Sequence, residues 1–338
     1  MTTRVLLDPS FRQTKIIFTD EDLARVHAVA DVIWGNDEPM PDDQLTEVAD
    51  DLEIIVTGGW RHGHPSRYPQ LRAILEVGGH LPPAADLDYG YCFTHGIRVL
   101  SCAPAFGPAV AELGLGLALA STRQIGWTDR AFRTGEPNWS HIAFATEIGD
   151  TFTLYGKQIG MIGFGGLARS LQRLLAPFGC PIQAYDPWLT DAFLRQQGVE
   201  PVDLDTLLAT SRVTFVLATP TSANRALLTA ERLDRIAADA VLVLLSRSHV
   251  VDFDALTERV LAGRFRAAID VFPEEPIAHD HPVRRASHAV LSSHRAGAMS
   301  EALHEVGRIV ADDLEALCTG RTPQRMQAAQ PESIRLRA

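Results

Sequence analysis

The sequence predicts an α/β protein of two domains, each built on a parallel sheet covered by helices. Three observations carry this. The chain has 338 residues, 46% of them hydrophobic and 22% charged, which is enough for two separate cores and excludes disordered or collagen-like classes. Strand-length apolar runs alternate with helical stretches almost throughout, as parallel sheets with helix-covered faces require. Midway along the chain, a glycine-rich turn joins a strand to a helix in the manner of a doubly wound sheet.

In chain order, strands are expected at RVLLD (4–8), EIIVTG (53–58), RAILEVG (72–78) and IRVLSC (97–102), with helical stretches between them. A helix from about Pro108 to Thr122 leads into a polar segment, 127–144, that carries Trp127, Phe132, Trp139 and Phe144. Aromatics on such an arm usually pack against something. A second, tighter βαβ series then runs to Ser293. The helix expected from about Ala298 to Cys318 has no evident strand after it and would return to the first domain.

Composition also narrows the partners. Net charge is −11, and the basic residues are scattered rather than gathered, which argues against nucleic acid. The opening MTTRVLLDPS lacks the apolar core of a secretory signal, and Leu113 to Ala120 is too short to span a bilayer, so a soluble cytoplasmic protein without a membrane partner is expected. Cys92, Cys102, Cys180 and Cys318 form no CxxC pair and read as reduced packing residues. His279, His281 and His288 lack accompanying acidic or cysteine ligands and read as loop residues, so no metal is expected.

The second series opens with QIGMIGFGGLARSLQ, in which Gly163, Gly165 and Ala168 fit G-x-G-x-x-G/A. Gly163 serves the tight turn, Gly165 lets the backbone approach a pyrophosphate, and Ala168 allows close helix packing. Amides at the helix start, Gly166 and Leu167, face the phosphates with a favourable dipole. Asp186 closes the next strand where a carboxylate can bind both adenosine-ribose hydroxyls. It would repel a 2′-phosphate, and Pro187-Trp188 offer no cation, so NAD is expected over NADP.

Further on, AVLVLLSRSHVVD (240–252) reads as a strand buried on both faces that emerges at Ser246 and Arg247. A guanidinium there must meet an anion or water. Beyond it, Glu275 in AAIDVFPEEP (267–276) and His294 in AVLSSHRAG (289–297) also follow strands. In a doubly wound sheet, these exits surround the ligand crevice.

Taken with IRVLSCAPAFGPAVAELGLGLALA (97–120), LATP (217–220), SRSHVVDFDAL (246–256), DVFPEEP (270–276) and SSHRAG (292–297), the chain resembles the D-isomer-specific 2-hydroxyacid dehydrogenases. The resemblance implies a flavodoxin-like substrate domain, 1–106 with 298–338, into which a Rossmann-type NAD domain, 107–297, is inserted. It also implies a homodimer to which an arm at 121–150 contributes. The family's catalytic arginine, glutamate and histidine fall on Arg247, Glu275 and His294. Arg247 would hold the substrate carboxylate, His294 would exchange the proton, and Glu275 would orient its imidazole and favour the protonated form. Thr219, Pro220, Ser246, Asp270 and His294 would border the cofactor, and Gly79, His80 and Leu81 the substrate.

Two departures stand out. Gly166 occupies a position where the family often has arginine. The substrate loop reads VGGHLPPAADLD (77–88), in which amides around Gly79 and His80 are expected to hold a carboxylate and Pro82-Pro83 reshape the pocket. The His80 ring, Trp60 and Arg61 are candidates for contact with a distal polar group. The fold also serves NADH-sensing corepressors of the C-terminal-binding-protein type, the alternative to an enzyme.

Overall fold

A computed structural model describes residues 2–135 and 151–335. The chain forms two compact units, one of 1–107 with 297–338 and the other of 108–296.

In the first unit, β1 (Thr3–Asp8), β2 (Ala30–Trp34), β3 (Ile54–Thr57), β4 (Ala73–Glu76) and β5 (Arg98–Ser101) make a parallel sheet in the order β5-β4-β3-β1-β2. Side chains alternate between its faces. Val5, Leu7, Val56 and Leu75 pack with Val306, Val310 and Leu314 of the helix Ser300–Cys318, while Leu6, Ile55 and Ile74 pack with Leu45 and Tyr68. That helix comes close to the chain at Ile17, where a Cβ on Gly307 would fall 2.0 Å from the Ile17 carbonyl oxygen. The expectation that no strand follows it is corrected. Gln327–Ala328 adds an antiparallel edge to β5, and a strand of two residues is too short to show a periodic pattern.

The carboxyl edge of this sheet carries a row of polar groups in register. Asp8 pairs with Thr57, Thr57 with Glu76 and Glu76 with Ser101, and all four are buried.

In the second unit, β6 (Ile159–Ile162), β7 (Ile182–Tyr185), β8 (Glu200–Pro201), β9 (Val213–Val216), β10 (Val241–Leu244), β11 (Arg266–Ile269) and β12 (Ala289–Leu291) form an all-parallel sheet in the order β12-β11-β10-β9-β6-β7-β8. Its central strands are buried on both faces, which explains their unbroken apolar runs. Strand order reverses between β6 and β9, and a ligand crevice opens at such a point, beyond the carboxyl ends.

Leu113 to Ala120 belongs to a longer helical run than the sequence suggested. Ala103–Thr122, 20 residues, is long and apolar enough to cross a membrane by length and composition, although Ala111, Leu117, Ala118 and Thr122 within it are buried in the fold. Of the expected arm, a helix Ile125–Arg133 is described, with Trp127 and Phe132 exposed. Trp139, Phe144 and the remainder of the arm lie outside the described residues.

Candidate active site

Strand β6 is followed directly by Gly163, whose φ of +86° suits glycine, and a Cβ there would fall 2.7 Å from Ala218 Cα. The helix Gly166–Leu175 follows at once, with Gly165 at its cap and Ala168 buried beneath it. Nothing lies within 4 Å of where a Cβ would stand on Gly165 or Gly166, so the helix start is open to a ligand. Leu167 is half-buried in the first turn.

Asp186, just past β7, accepts from the Phe164 amide at 2.7 Å and from the Trp188 amide at 2.9 Å. The carboxylate is thereby fixed beside the glycine turn. A cavity of about 300 Å³ adjoins it, lined by Tyr185, Asp186, Leu194, Val202 and Asp203 among others.

After β9 the LATP turn is shaped by Asn224, which donates to the Thr219 carbonyl at 2.8 Å and accepts from the Thr221 amide at 2.8 Å. Pro220 sits between them, half-buried. The His249 ring bonds the Thr221 carbonyl at 2.8 Å and ties this turn to the one after β10.

Ser246 is buried, and its Oγ has no hydrogen-bond partner among the described residues. A buried hydroxyl without a partner is costly unless a ligand completes it. Open amides at a helix start, a fixed carboxylate one strand away and this orphaned hydroxyl all fit a nicotinamide dinucleotide. Arg247 is exposed, with Nη1 donating to the Ser246 carbonyl at 2.7 Å, which leaves most of the guanidinium fork available.

Asp270 directly follows β11 and is fully buried. Its carboxylate accepts from Ser292 Oγ at 2.5 Å, the Arg295 amide at 2.9 Å and the Ala296 amide at 3.2 Å, and its carbonyl accepts from the His294 amide at 2.8 Å. These four bonds fold the turn that holds His294 at φ +53°, a left-handed conformation that is unfavourable for histidine. In this structure, Asp270 builds the histidine turn.

His294 Nδ1 and Glu275 Oε2 are 2.5 Å apart. Glu275 Oε1 also accepts from the Phe272 amide at 2.9 Å. Burial alone would raise the Glu275 carboxyl, but the bonds from His294 and Phe272, with the charges of His294 and Arg247, hold it below the usual carboxylate range. It is therefore ionised, and Nδ1–H is the donor. Arg247, Glu275 and His294 come from three strand exits of one sheet, and the Arg247 charge is felt at Glu275.

In the first unit the expected substrate loop is built differently from the sequence reading. Glu76, fully buried at the end of β4, accepts from the Gly78 amide at 2.6 Å and the His80 amide at 3.3 Å, and Gly79 adds a further backbone donor. Burial pushes its carboxyl up to about 7, against the lowering effect of those amides and of Arg12. Loop amides expected to meet a substrate anion thus face an internal carboxylate. The signal was an acid closing an apolar strand, AILE, with two glycines one residue further on.

The His80 ring is exposed and bonded to the Leu81 carbonyl at 3.2 Å, while the Leu81 side chain is buried. Trp60 is buried in the core, its Nε1 donating to the Gly63 carbonyl at 2.7 Å. Arg61 is held by Asp8 at 2.7 Å and by the Ser10 carbonyl at 3.0 Å. His279 and His288 belong to a loop in which His281 Nδ1 accepts from the Val283 amide, and no group of three metal-ligating side chains occurs among the described residues.

The profile of the D-isomer specific 2-hydroxyacid dehydrogenase NAD-binding domain matches residues 115–296. A glyoxylate reductase from Thermofilum pendens is 32% identical over 243 residues, 70% of either chain. The D-3-phosphoglycerate dehydrogenase of Mycobacterium tuberculosis is 30% identical over 254 residues, 75% of this chain and 46% of that protein. The chain thus spans about half the length of the phosphoglycerate dehydrogenases it matches. Among solved structures, a phosphoglycerate oxidoreductase from Rhizobium etli superposes with a TM-score of 0.85 at 34% identity, over 97% of this chain and 98% of its own.

Proposed function

The chain belongs to the family of D-isomer specific 2-hydroxyacid dehydrogenases and contains its NAD-binding domain, and we propose that it interconverts a 2-oxo acid and the corresponding 2-hydroxy acid. The observation that carries this reading is the His294–Glu275 pair, 2.5 Å apart at the same sheet edge as Arg247. When bound, the nicotinamide supplies hydride to the substrate C2, or accepts it in the reverse direction.

The residues of the chain divide the remaining work. Arg247 grips the substrate carboxylate and polarises the neighbouring carbonyl through a planar fork of donors. The developing alkoxide takes a proton from His294 through Nε2, because Nδ1 is committed to Glu275, and oxidation returns the proton to the same nitrogen. Ionised Glu275 accepts from Nδ1–H and fixes the orientation of the ring. Asp270 works through the backbone, holding the turn that presents His294. Gly163, Gly165, Gly166 and Leu167 line the pyrophosphate, with Thr219, Pro220 and Ser246 along the rest of the dinucleotide.

Asp186 supports NAD over NADP. Its carboxylate suits two ribose hydroxyls and repels a 2′-phosphate, and no cation follows it in Pro187-Trp188. The matched relatives carry the names of dehydrogenases and reductases, which favours an enzyme over an NADH sensor. We take the assembly to be a cytoplasmic homodimer. Exposed Trp127 and Phe132 on the helix Ile125–Arg133 support an interface there.

The test is steady-state NADH oxidation across a panel of 2-oxo acids, glyoxylate, pyruvate and hydroxypyruvate among them. Sustained turnover with at least one is expected. Tight NADH binding without turnover on the whole panel would overturn the enzymatic reading.

A further inference from the structure

The turn after β1 and the loop after β4 meet at the polar carboxyl edge of the first unit, and the cations there are not equivalent. Arg61 is consumed by Asp8 and the Ser10 carbonyl. His62 is buried, bonded to Thr57 Oγ1 at 3.1 Å, and pushed down to about 3 by burial and by the charges of Arg61 and Arg67, so it is neutral. The His80 ring bonds the Leu81 carbonyl.

Arg12 differs. Its Nε donates to the Val77 carbonyl at 2.9 Å, which ties it to the loop at 77–81. Its guanidinium carbon stands 4.9 Å from the centre of the Phe11 ring and 5.7 Å from that of Phe106. Those contacts fix the group while leaving its two terminal nitrogens without an ion pair to any described acid within 4.0 Å. Glu76, the acid that feels its charge, directs its oxygens at loop amides instead.

An arginine held at one nitrogen, flanked by aromatic rings and lacking an acid partner is preorganised for an anion. The amides that could have done this work are already taken by Glu76. We infer that Arg12 is the specificity-determining residue of the substrate unit and selects 2-oxo acids that carry a second anionic group at the far end. The inference rests on the dehydrogenase reading.

The test compares 2-oxo acids matched in chain length, oxaloacetate with 2-oxobutyrate and 2-oxoglutarate with 2-oxopentanoate, on wild type, Arg12→Gln and Arg12→Lys, with melting temperatures measured alongside. Wild type is expected to favour the dianion in at least one pair. Arg12→Gln should lower kcat/KM for that dianion by about tenfold or more, through KM, and change its neutral-ended partner by less than about twofold. Arg12→Lys should recover part of the loss, since it restores the charge without the fork. Equal losses on both members of a pair, no loss, or a wild type without preference for either dianion would overturn the inference. The dehydrogenase reading fails separately, on the wider panel of 2-oxo acids. Should wild type turn over none of these four, calorimetric titration of the same acids into wild type and Arg12→Gln decides: weaker binding of the dianions alone supports the role of Arg12, and equal binding refutes it.

Discussion

The amide of His294 donates to the carbonyl of Asp270 at 2.8 Å, and the Asp270 carboxylate accepts from the two amides that follow His294. A buried acid thus shapes the turn around the histidine it never touches through its ring. Asp270→Asn keeps the volume but turns one acceptor into a donor facing other donors, at a cost of about 1–3 kcal/mol for an unsatisfied buried group. The variant should lose about tenfold or more in kcat and melt at a lower temperature. Wild-type kcat in a correctly folded Asp270→Asn would remove Asp270 from this role.

Arg247→Lys keeps the charge and loses the fork. Activity should fall by about a hundredfold while the dissociation constant for NADH stays near wild type, because the loss lies in substrate binding and carbonyl polarisation. Near-normal turnover of the preferred substrate would contradict the assignment.

For the cofactor, Asp186→Ala should weaken NADH binding and narrow its advantage over NADPH. The variant loses both the ribose contact and the repulsion of a 2′-phosphate. An unchanged ratio of kcat/KM for the two cofactors would place the choice elsewhere.

Glu76 makes a prediction about stability. Its carboxyl titrates near 7 when folded, against an ordinary value of 4.5 for an unfolded chain. Between those values the folded state binds the extra proton, so raising the pH through this window costs stability, and above about 7 the penalty is constant. Buried His62 works in the opposite direction, because a depressed histidine loses stability as pH falls below its unfolded value of 6.5. The difference between wild type and Glu76→Gln isolates the carboxylate. Wild type should lose ground to the variant as pH rises from about 4.5 to about 7. A pH-independent difference in urea midpoints would show that Glu76 does not titrate there.

How far the sequence revealed this molecule depends on the length of each signal. The strands at 4–8, 53–58, 72–78 and 97–102 were legible because each is an apolar run bounded by polar or turn residues. By contrast β2, Ala30–Trp34, was missed because it continues directly from the helix Asp20–Val29 with no glycine or proline between them. Gln327–Ala328 takes its structure from pairing with β5, a long-range contact that leaves no local pattern. Within the site, Gly163, Asp186, Arg247, Glu275 and His294 could be picked out because strand exits place chemistry at one edge. The clamp of Glu76 on the loop amides is local, and its signal was the acid that closes AILE just before the glycines; the isolation of Arg12 was not visible, since it depends on which groups share one sheet edge.

The most direct measurement is the stoichiometry of NADH consumed to 2-hydroxy acid formed, followed for wild type and His294→Ala at saturating NADH on the best 2-oxo acid. Wild type should form one hydroxy acid per NADH, with the rate falling by about a thousandfold or more in His294→Ala while NADH still binds. A His294→Ala variant that turns over near the wild-type rate, or NADH consumed without a hydroxy acid product, would remove His294 from the proton transfer or the 2-hydroxy acid from the reaction.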